Sequence, residues 1–235
     1  MSPFMGEFIG SALLVTLGDG VVANVVLNKT KGHNSGWIVI TLGWAFAVFV
    51  GVFSSAAASG AHLNPAFTLA MVLLGKFSWS LVPVYFLAQL LGAMAGALVV
   101  WLVYQQHFNE TPDPATQLAV FCTGPAIAHT AHNLLSEIAG TFVLVFAVLK
   151  IAAPANSLGA LDALPVALVV LAVGLGLGGT TGYAINPSRD LGPRIVHALI
   201  PLPAKQGSNW QYAWIPVIGP LVGGILAAML FKVLG

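Results

Sequence analysis

The chain has 235 residues, of which 6% are charged and 58% hydrophobic, whereas an ordinary soluble domain is about 25% charged. Most of its surface must therefore face hydrocarbon, and a formal net charge of +1 gives no electrostatic footprint for nucleic acid. One cysteine, Cys122, excludes an internal disulfide.

A spanning helix needs about 20 mostly apolar residues to cross roughly 30 Å of hydrocarbon. Taken from the N-terminus, the first such stretch covers about 4–27 and carries Glu7. It lacks a basic leader and a persuasive cleavage site, so it reads as a retained span. The second covers about 37–57 and carries Trp44. Gly60-Ala61-His62-Leu63 then leads into a short apolar piece, about 64–75, that opens with Asn64-Pro65-Ala66. The third span is about 80–104. Beyond a joining loop come spans at about 133–153, with Glu137, and about 161–180, with Gly174. Gly182-Tyr183-Ala184-Ile185 leads into a second short piece, about 186–200, opening with Asn186-Pro187-Ser188-Arg189-Asp190, and the last span is about 210–233. Both short pieces are better read as re-entrant than as spanning. Proline costs nothing in the first helical turn, where its missing N–H has no partner anyway, and the preceding asparagine is a good N-cap. Each piece should be a helix whose N-terminus starts deep in the protein.

The halves repeat. Gly6-Glu7-Phe8-Ile9-Gly10 reads against Ser136-Glu137-Ile138-Ala139-Gly140, with Glu137 following Glu7 by 130 positions and Asn186 following Asn64 by 122. Each half holds three spans and one half-helix. Three is odd, so the copies must enter the membrane in opposite orientations, with their broken helices face to face near the midplane. The expected fold is an all-α integral membrane protein of six transmembrane helices plus two re-entrant half-helices. It would be one domain built from two inverted repeats, about 1–108 and 130–235, joined by a loop. Small residues every fourth position (Gly6/Gly10, Ala88/Gly92/Gly96, Gly174/Gly178/Gly182, Gly219/Gly223/Ala227) suit close helix packing. The lysines do not decide the orientation: with both ends inside, Lys76, Lys150 and Lys232 fall inside and Lys29, Lys31 and Lys205 outside.

A half-helix N-terminus carries about half a positive charge and several unpaired N–H donors. Two such ends meeting at mid-membrane repel cations, while the Asn64 and Asn186 amides offer donors to a passing oxygen. Irregular backbone at that depth is tolerated only where it lines a cavity. The carbonyls of Gly60, Ala61, His62, Leu63, Gly182, Ala184 and Ile185 would then form a ladder of acceptors along one wall. An arginine in a membrane segment is functional by default; Arg189 is such a residue, or else a structural partner of Asp190. Asp190 and Arg194 have the spacing of an ion pair on one helix face. Glu7 and Glu137 are acids within spans, where they can serve as proton relays of a coupled transporter. His129 and His132 lack the companions a metal needs. With neither a phosphate-binding glycine loop nor a nucleophile–His–acid set, no enzyme, cofactor or metal is expected.

The paired Asn-Pro motifs, with Glu7 and Glu137 opening each half, resemble the major intrinsic protein family, the aquaporins and glycerol facilitators, over essentially the whole chain. Gly60-Ala61-His62-Leu63-Asn64-Pro65-Ala66 and the run from Asn186 to Arg194 resemble its glycerol-conducting branch. The resemblance implies a selectivity filter of Trp44, Gly174, Tyr183 and Arg189. Arg189 would be the cationic donor, Trp44 and Tyr183 a hydrophobic corner, and Gly174 would leave room where water-selective members place a histidine. It makes Glu7 and Glu137 acceptors for the re-entrant loops, makes Asp190 and Arg194 structural supports, and implies a homotetramer in a cell membrane with one pore per subunit. Two departures stand out: Ser188 where alanine is usual, and Tyr183 where phenylalanine is usual, its hydroxyl making the corner more polar. The expected function is a passive channel for small uncharged solutes, chiefly glycerol with water and related polyols. Alternatives are a channel mainly for water or for protonated lactic acid, an ion channel, and a proton-coupled transporter using Glu7 or Glu137.

Overall fold

Away from water, a backbone N–H or C=O must find its partner inside the chain, so long apolar runs become helices. The computed structural model describes residues 1–151 and 156–234. Among these run nine α-helices: α1 (Pro3–Val26), α2 (Trp37–Ser59), α3 (Pro65–Leu73), α4 (Val82–Asn109), α5 (Pro114–Phe121), α6 (Thr130–Lys150), α7 (Leu164–Leu177), α8 (Pro187–Leu199) and α9 (Ile215–Leu234). Six of them, α1, α2, α4, α6, α7 and α9, are long and apolar enough to cross a membrane, α7 with the help of the 3-10 turn at its start.

The expected spans fall on these six helices, with ends that shift for local reasons. The third runs on to Asn109, since nothing in Tyr104–Phe108 breaks a helix. The fifth stops at Leu177, where Gly178 and Gly179 follow, and the last begins only at Ile215, beyond a run of turns. Residues 152–153 of the expected fourth span lie outside the described residues. Helix α5 was not expected in the joining loop. Its signal is short: Asp113 caps the free amides of Ala115 and Thr116, and Pro114 takes the first position.

Helix α1 packs against α2 and α4, and α6 against α7 and α9. The short helices lock these groups together: α3 lies mainly on α9 and α8 mainly on α4, while α2 meets α7. Two glycine contacts correspond in the two groups. A Cβ on Gly92 of α4 would stand 2.2 Å from the Phe8 carbonyl oxygen on α1, and one on Gly223 of α9 would stand 2.4 Å from the Ile138 carbonyl oxygen on α6. Backbone therefore touches backbone at the residue after each glutamate, the close approach expected of small-residue rows where lipid supplies no hydrophobic drive. The row Gly174/Gly178/Gly182 is a correction. Only its first members face a helix: Gly174 and Gly178 lie against Thr41 and Trp37 of α2, but α7 ends at Leu177, Gly178 caps it, and Gly182 sits off the helix at φ 84°.

Gly92→Val should lower the apparent melting temperature of the detergent-purified protein, at a cost of about 1–3 kcal/mol or more, because the obstacle is main chain rather than a movable side chain. Gly176→Ala, with nothing within 4 Å of its new Cβ, should melt as wild type when scanned at the same rate.

Candidate functional site

The stretches leading into α3 and α8 share one backbone path. Gly60, Ala61 and Leu63 have φ of 77°, 50° and 50°, and Gly182, Tyr183 and Ile185 have 84°, 38° and 45°. Each path ends on an asparagine at φ −154°. Left-handed backbone costs an L-residue roughly 1–2 kcal/mol, so two such residues per loop persist only where the surroundings dictate them. The buried glutamates do so. The Glu7 carboxylate accepts from the amides of His62 (2.9 Å) and Leu63 (2.7 Å), from Ser59 Oγ (2.7 Å) and from Gln89 Nε2 (2.7 Å). Glu137 accepts from the amides of Ala184 (3.0 Å) and Ile185 (2.9 Å) and from Thr181 Oγ1 (2.7 Å). Both side chains are fully buried, and each of these partners donates to the carboxylate.

The two loops then join each other. Asn64 Oδ1 caps its own helix at the Ala66 amide, and its Nδ2 donates to the Ile185 carbonyl at 2.8 Å. Asn186 Oδ1 caps the amides of Ser188 and Arg189, and its Nδ2 donates to the Leu63 carbonyl at 2.7 Å. One of the two hydrogens on each amide is thereby used to tie the N-termini of α3 and α8 together, and the other is left over.

A cavity of about 170 Å³ runs past this junction, many times the roughly 10–15 Å³ that one water needs. The two loops contribute Gly60, Ala61, His62, Leu63, Ala184 and Ile185 to its lining, with Asn64, Asn186 and Arg189. The helices contribute the apolar side chains of Leu14, Val48, Val52, Leu144, Val148, Val166 and Val170. Trp44, Val48 and Val52 are successive turns of α2, so the lining extends about 12 Å along that helix. Two expected lining residues are displaced from it. Gly182 lies beside Thr123 and is used for its left-handed turn, and Gly174 is covered by the Tyr183 ring. A Cβ on Gly174 would come within 2.8 Å of that ring, so the room this glycine leaves is taken by tyrosine instead of widening the cavity. The Tyr183 hydroxyl, expected to make the corner more polar, is buried beside Gly174 without a hydrogen-bond partner among the described residues. What faces the cavity is ring, and Trp37 braces that ring edge-on at 5.7 Å.

The Arg189 guanidinium carbon stands 3.9 Å from the centroid of the Trp44 ring, within cation–π range. Asp190 is not its partner. Asp190 pairs with Arg194 at 2.8 Å and accepts from the amide and hydroxyl of Thr123. Arg194 donates onward to the carbonyls of Thr123, Ser208 and Asn209, which fastens two loops to α8. Arg189 faces Asp19 of α1 instead, at 3.7 Å. Sequence reasoning missed Asp19, Gln89, Thr123, Thr181 and Ser59. For Asp19 and Gln89 a signal existed: each is a strongly polar residue within an apolar span, where such groups are costly and need a purpose.

Six membrane-capable helices and a cavity lined by both polar groups and apolar side chains are the features of a membrane channel protein. The model of the family described as "Major intrinsic protein" matches residues 1–231, and the chain belongs to that family. It is similar to the probable glycerol uptake facilitator protein of Thermotoga maritima, 55% identical over 232 residues and 99% of each chain. Glycerol uptake facilitator protein 3 of Lactiplantibacillus plantarum is 53% identical over 230 residues, 98% of this chain and 95% of that one. Among solved structures, the X-ray structure of the aquaglyceroporin from Plasmodium falciparum superposes with a TM-score of 0.86 at 32% identity, covering 97% of this chain and 94% of the other. The protein is accordingly a multi-pass membrane channel and not an enzyme.

Glu137→Gln puts an N–H where only donors point, so it should cost about 1–3 kcal/mol and lower the apparent melting temperature. Tyr183→Phe removes a buried hydroxyl that has no partner and should raise the same temperature.

Proposed function

We propose that the protein is a passive channel for small uncharged solutes, glycerol foremost, with water and related small polyols, in a cell membrane. In this reading α3 and α8 are re-entrant half-helices, and the chain is one channel domain of two inverted repeats, about 1–108 and 130–235. The matching backbone paths ahead of Asn64 and Asn186 support that reading. Homotetramer assembly with one conduit per subunit belongs to the same proposal, as does a filter formed by Trp44, Tyr183 and Arg189 with Gly174 behind it.

The observation that carries the reading is the mixed lining, loop backbone with amide and guanidinium groups together with apolar side chains. A polyol has hydroxyls along one edge and C–H along the other. Carbonyls of Gly60, Ala61, His62, Leu63, Ala184 and Ile185 accept from the hydroxyls, while the free hydrogens of the Asn64 and Asn186 amides and the Arg189 guanidinium donate to them. The valines and leucines of the helices take the carbon edge. Two helix N-termini at the junction make it positive, so a cation finds no counter-charge there and a hydronium is repelled. The leftover donors orient an oxygen at that point so that it accepts from the wall on both sides, which interrupts a chain of proton hops. A proton-coupled mechanism finds no support in the surroundings of Glu7 and Glu137, whose acceptor positions are filled by donors.

Proteoliposomes containing the chain should swell in a glycerol gradient far faster than protein-free vesicles, and an uncoupler should not slow them. Swelling driven by water alone, with glycerol and lactic acid excluded, would refute the polyol assignment. Trp44→Ala should raise permeation of a larger polyol such as sorbitol relative to glycerol. An unchanged ratio would remove Trp44 from the filter.

A further inference from the structure

The filter arginine has a partner on α1 that the channel reading does not use. Asp19 is 0% exposed, and among the described residues neither of its carboxylate oxygens has a hydrogen-bond partner. Facing it is Arg189 Nη1, also without a hydrogen-bond partner, at 3.7 Å from Asp19 Oδ1. That is too long for a hydrogen bond and within reach of an ion pair. Asp19 does not line the cavity; it stands behind the filter wall. The preceding residue on α1 serves the same corner: a Cβ on Gly18 would come within 2.2 Å of the Trp44 ring, so only glycine there lets that ring lie against α1 beneath the guanidinium. Gly18 seats the ring, the ring seats the guanidinium, and Asp19 supplies the opposite charge. The other acid near this corner, Asp190, is spent on Arg194 and Thr123. An unpaired buried charge is among the costliest features a fold can carry, whereas a facing pair is tolerated.

We propose that Asp19 is the positioning residue for Arg189: from behind the wall it fixes the guanidinium over Trp44 and cancels its charge. The filter thus offers N–H donors to a neutral solute without standing as a net positive site. This rests on the channel reading above and adds to it the reason the filter prefers a neutral hydroxyl to an anion of similar size. With Asp19 neutral, the guanidinium charge is exposed to the conduit, and a small anion is drawn to it.

The test compares glycerol with formate at pH 8 by stopped-flow light scattering of proteoliposomes, with valinomycin and potassium supplying the counter-ion. Wild type should pass glycerol and hold formate at the rate of protein-free vesicles. Asp19→Asn should raise the formate-to-glycerol ratio at least about tenfold, because it removes a full charge about 4 Å from the guanidinium. Asp19→Glu should stay within about twofold of wild type, since the charge is kept. Asp19→Asn combined with Arg189→Gln should return the ratio toward wild type, the corner being neutral again. A well-folded Asp19→Asn protein whose ratio matches wild type overturns the assignment. If Asp19→Asn does not fold, recovery of melting and elution in the double variant supports the pairing, and failure of the double variant alongside the single overturns it. Wild-type vesicles that pass no glycerol would contradict the channel reading itself, which is a separate result from an unchanged ratio in Asp19→Asn.

Discussion

The structure depends on one reciprocal pair of hydrogen bonds. Asn64 reaches across to the Ile185 carbonyl and Asn186 to the Leu63 carbonyl, while each asparagine caps its own helix with its other atom. Two helix N-termini repel each other, since each carries a partial positive charge. Bringing them together needs acceptors at the meeting point, and the left-handed residues Leu63 and Ile185 present their carbonyls there. Those residues hold an unfavourable backbone only because Glu7 and Glu137 collect the neighbouring amides. The order of cause is therefore buried acid, strained loop, presented carbonyl, joined helix ends. Loss of either acid unsettles all that follows it.

Much of this was legible in the sequence because the relevant signals are local. An asparagine–proline pair opening a segment too short to span, met twice at matching places, already says where two helices start and that they face one another. The glutamates and the small-residue rows of α4 and α9 were legible for the same reason: a charge or a glycine in an apolar span stands out against its neighbours. What was hidden depends on distant parts of the chain arriving together. Nothing about Gly174 shows that Tyr183 will cover it, and nothing about Tyr183 shows that its hydroxyl turns into the wall. The Leu63 and Ile185 carbonyls were visible as acceptors, but not that each is half-taken by the opposite asparagine. Asp19 is the sharpest case: a second acid in an apolar helix announces a purpose, and only the meeting of α1, α2 and α8 discloses that Arg189 is its partner.

The proposed conduit divides selection between two places with different physics. At the junction of the short helices the determinant is charge of fixed sign, delivered by backbone dipoles that titration cannot remove. At Trp44, Tyr183 and Arg189 it is shape and amphipathy: two rings bound the space, and the guanidinium supplies a cationic donor to it. The buried pairs Asp190–Arg194 and Asp19–Arg189 differ accordingly. The first has nearly every hydrogen bond satisfied and fastens loops, whereas the second leaves atoms unpaired and sits next to the solute path. Residues of a rigid frame are expected to be saturated; residues that must still serve a guest are not.

The central claim, that two positive helix ends joined by asparagines pass neutral molecules and stop charge, is tested most directly by following both fluxes in one set of vesicles. Proteoliposomes holding a pH-sensitive dye are given a glycerol gradient and an inside-negative diffusion potential together. The account predicts rapid glycerol entry while the interior acidifies no faster than in vesicles without protein. Acidification that rises in step with the amount of protein and with the potential would contradict it.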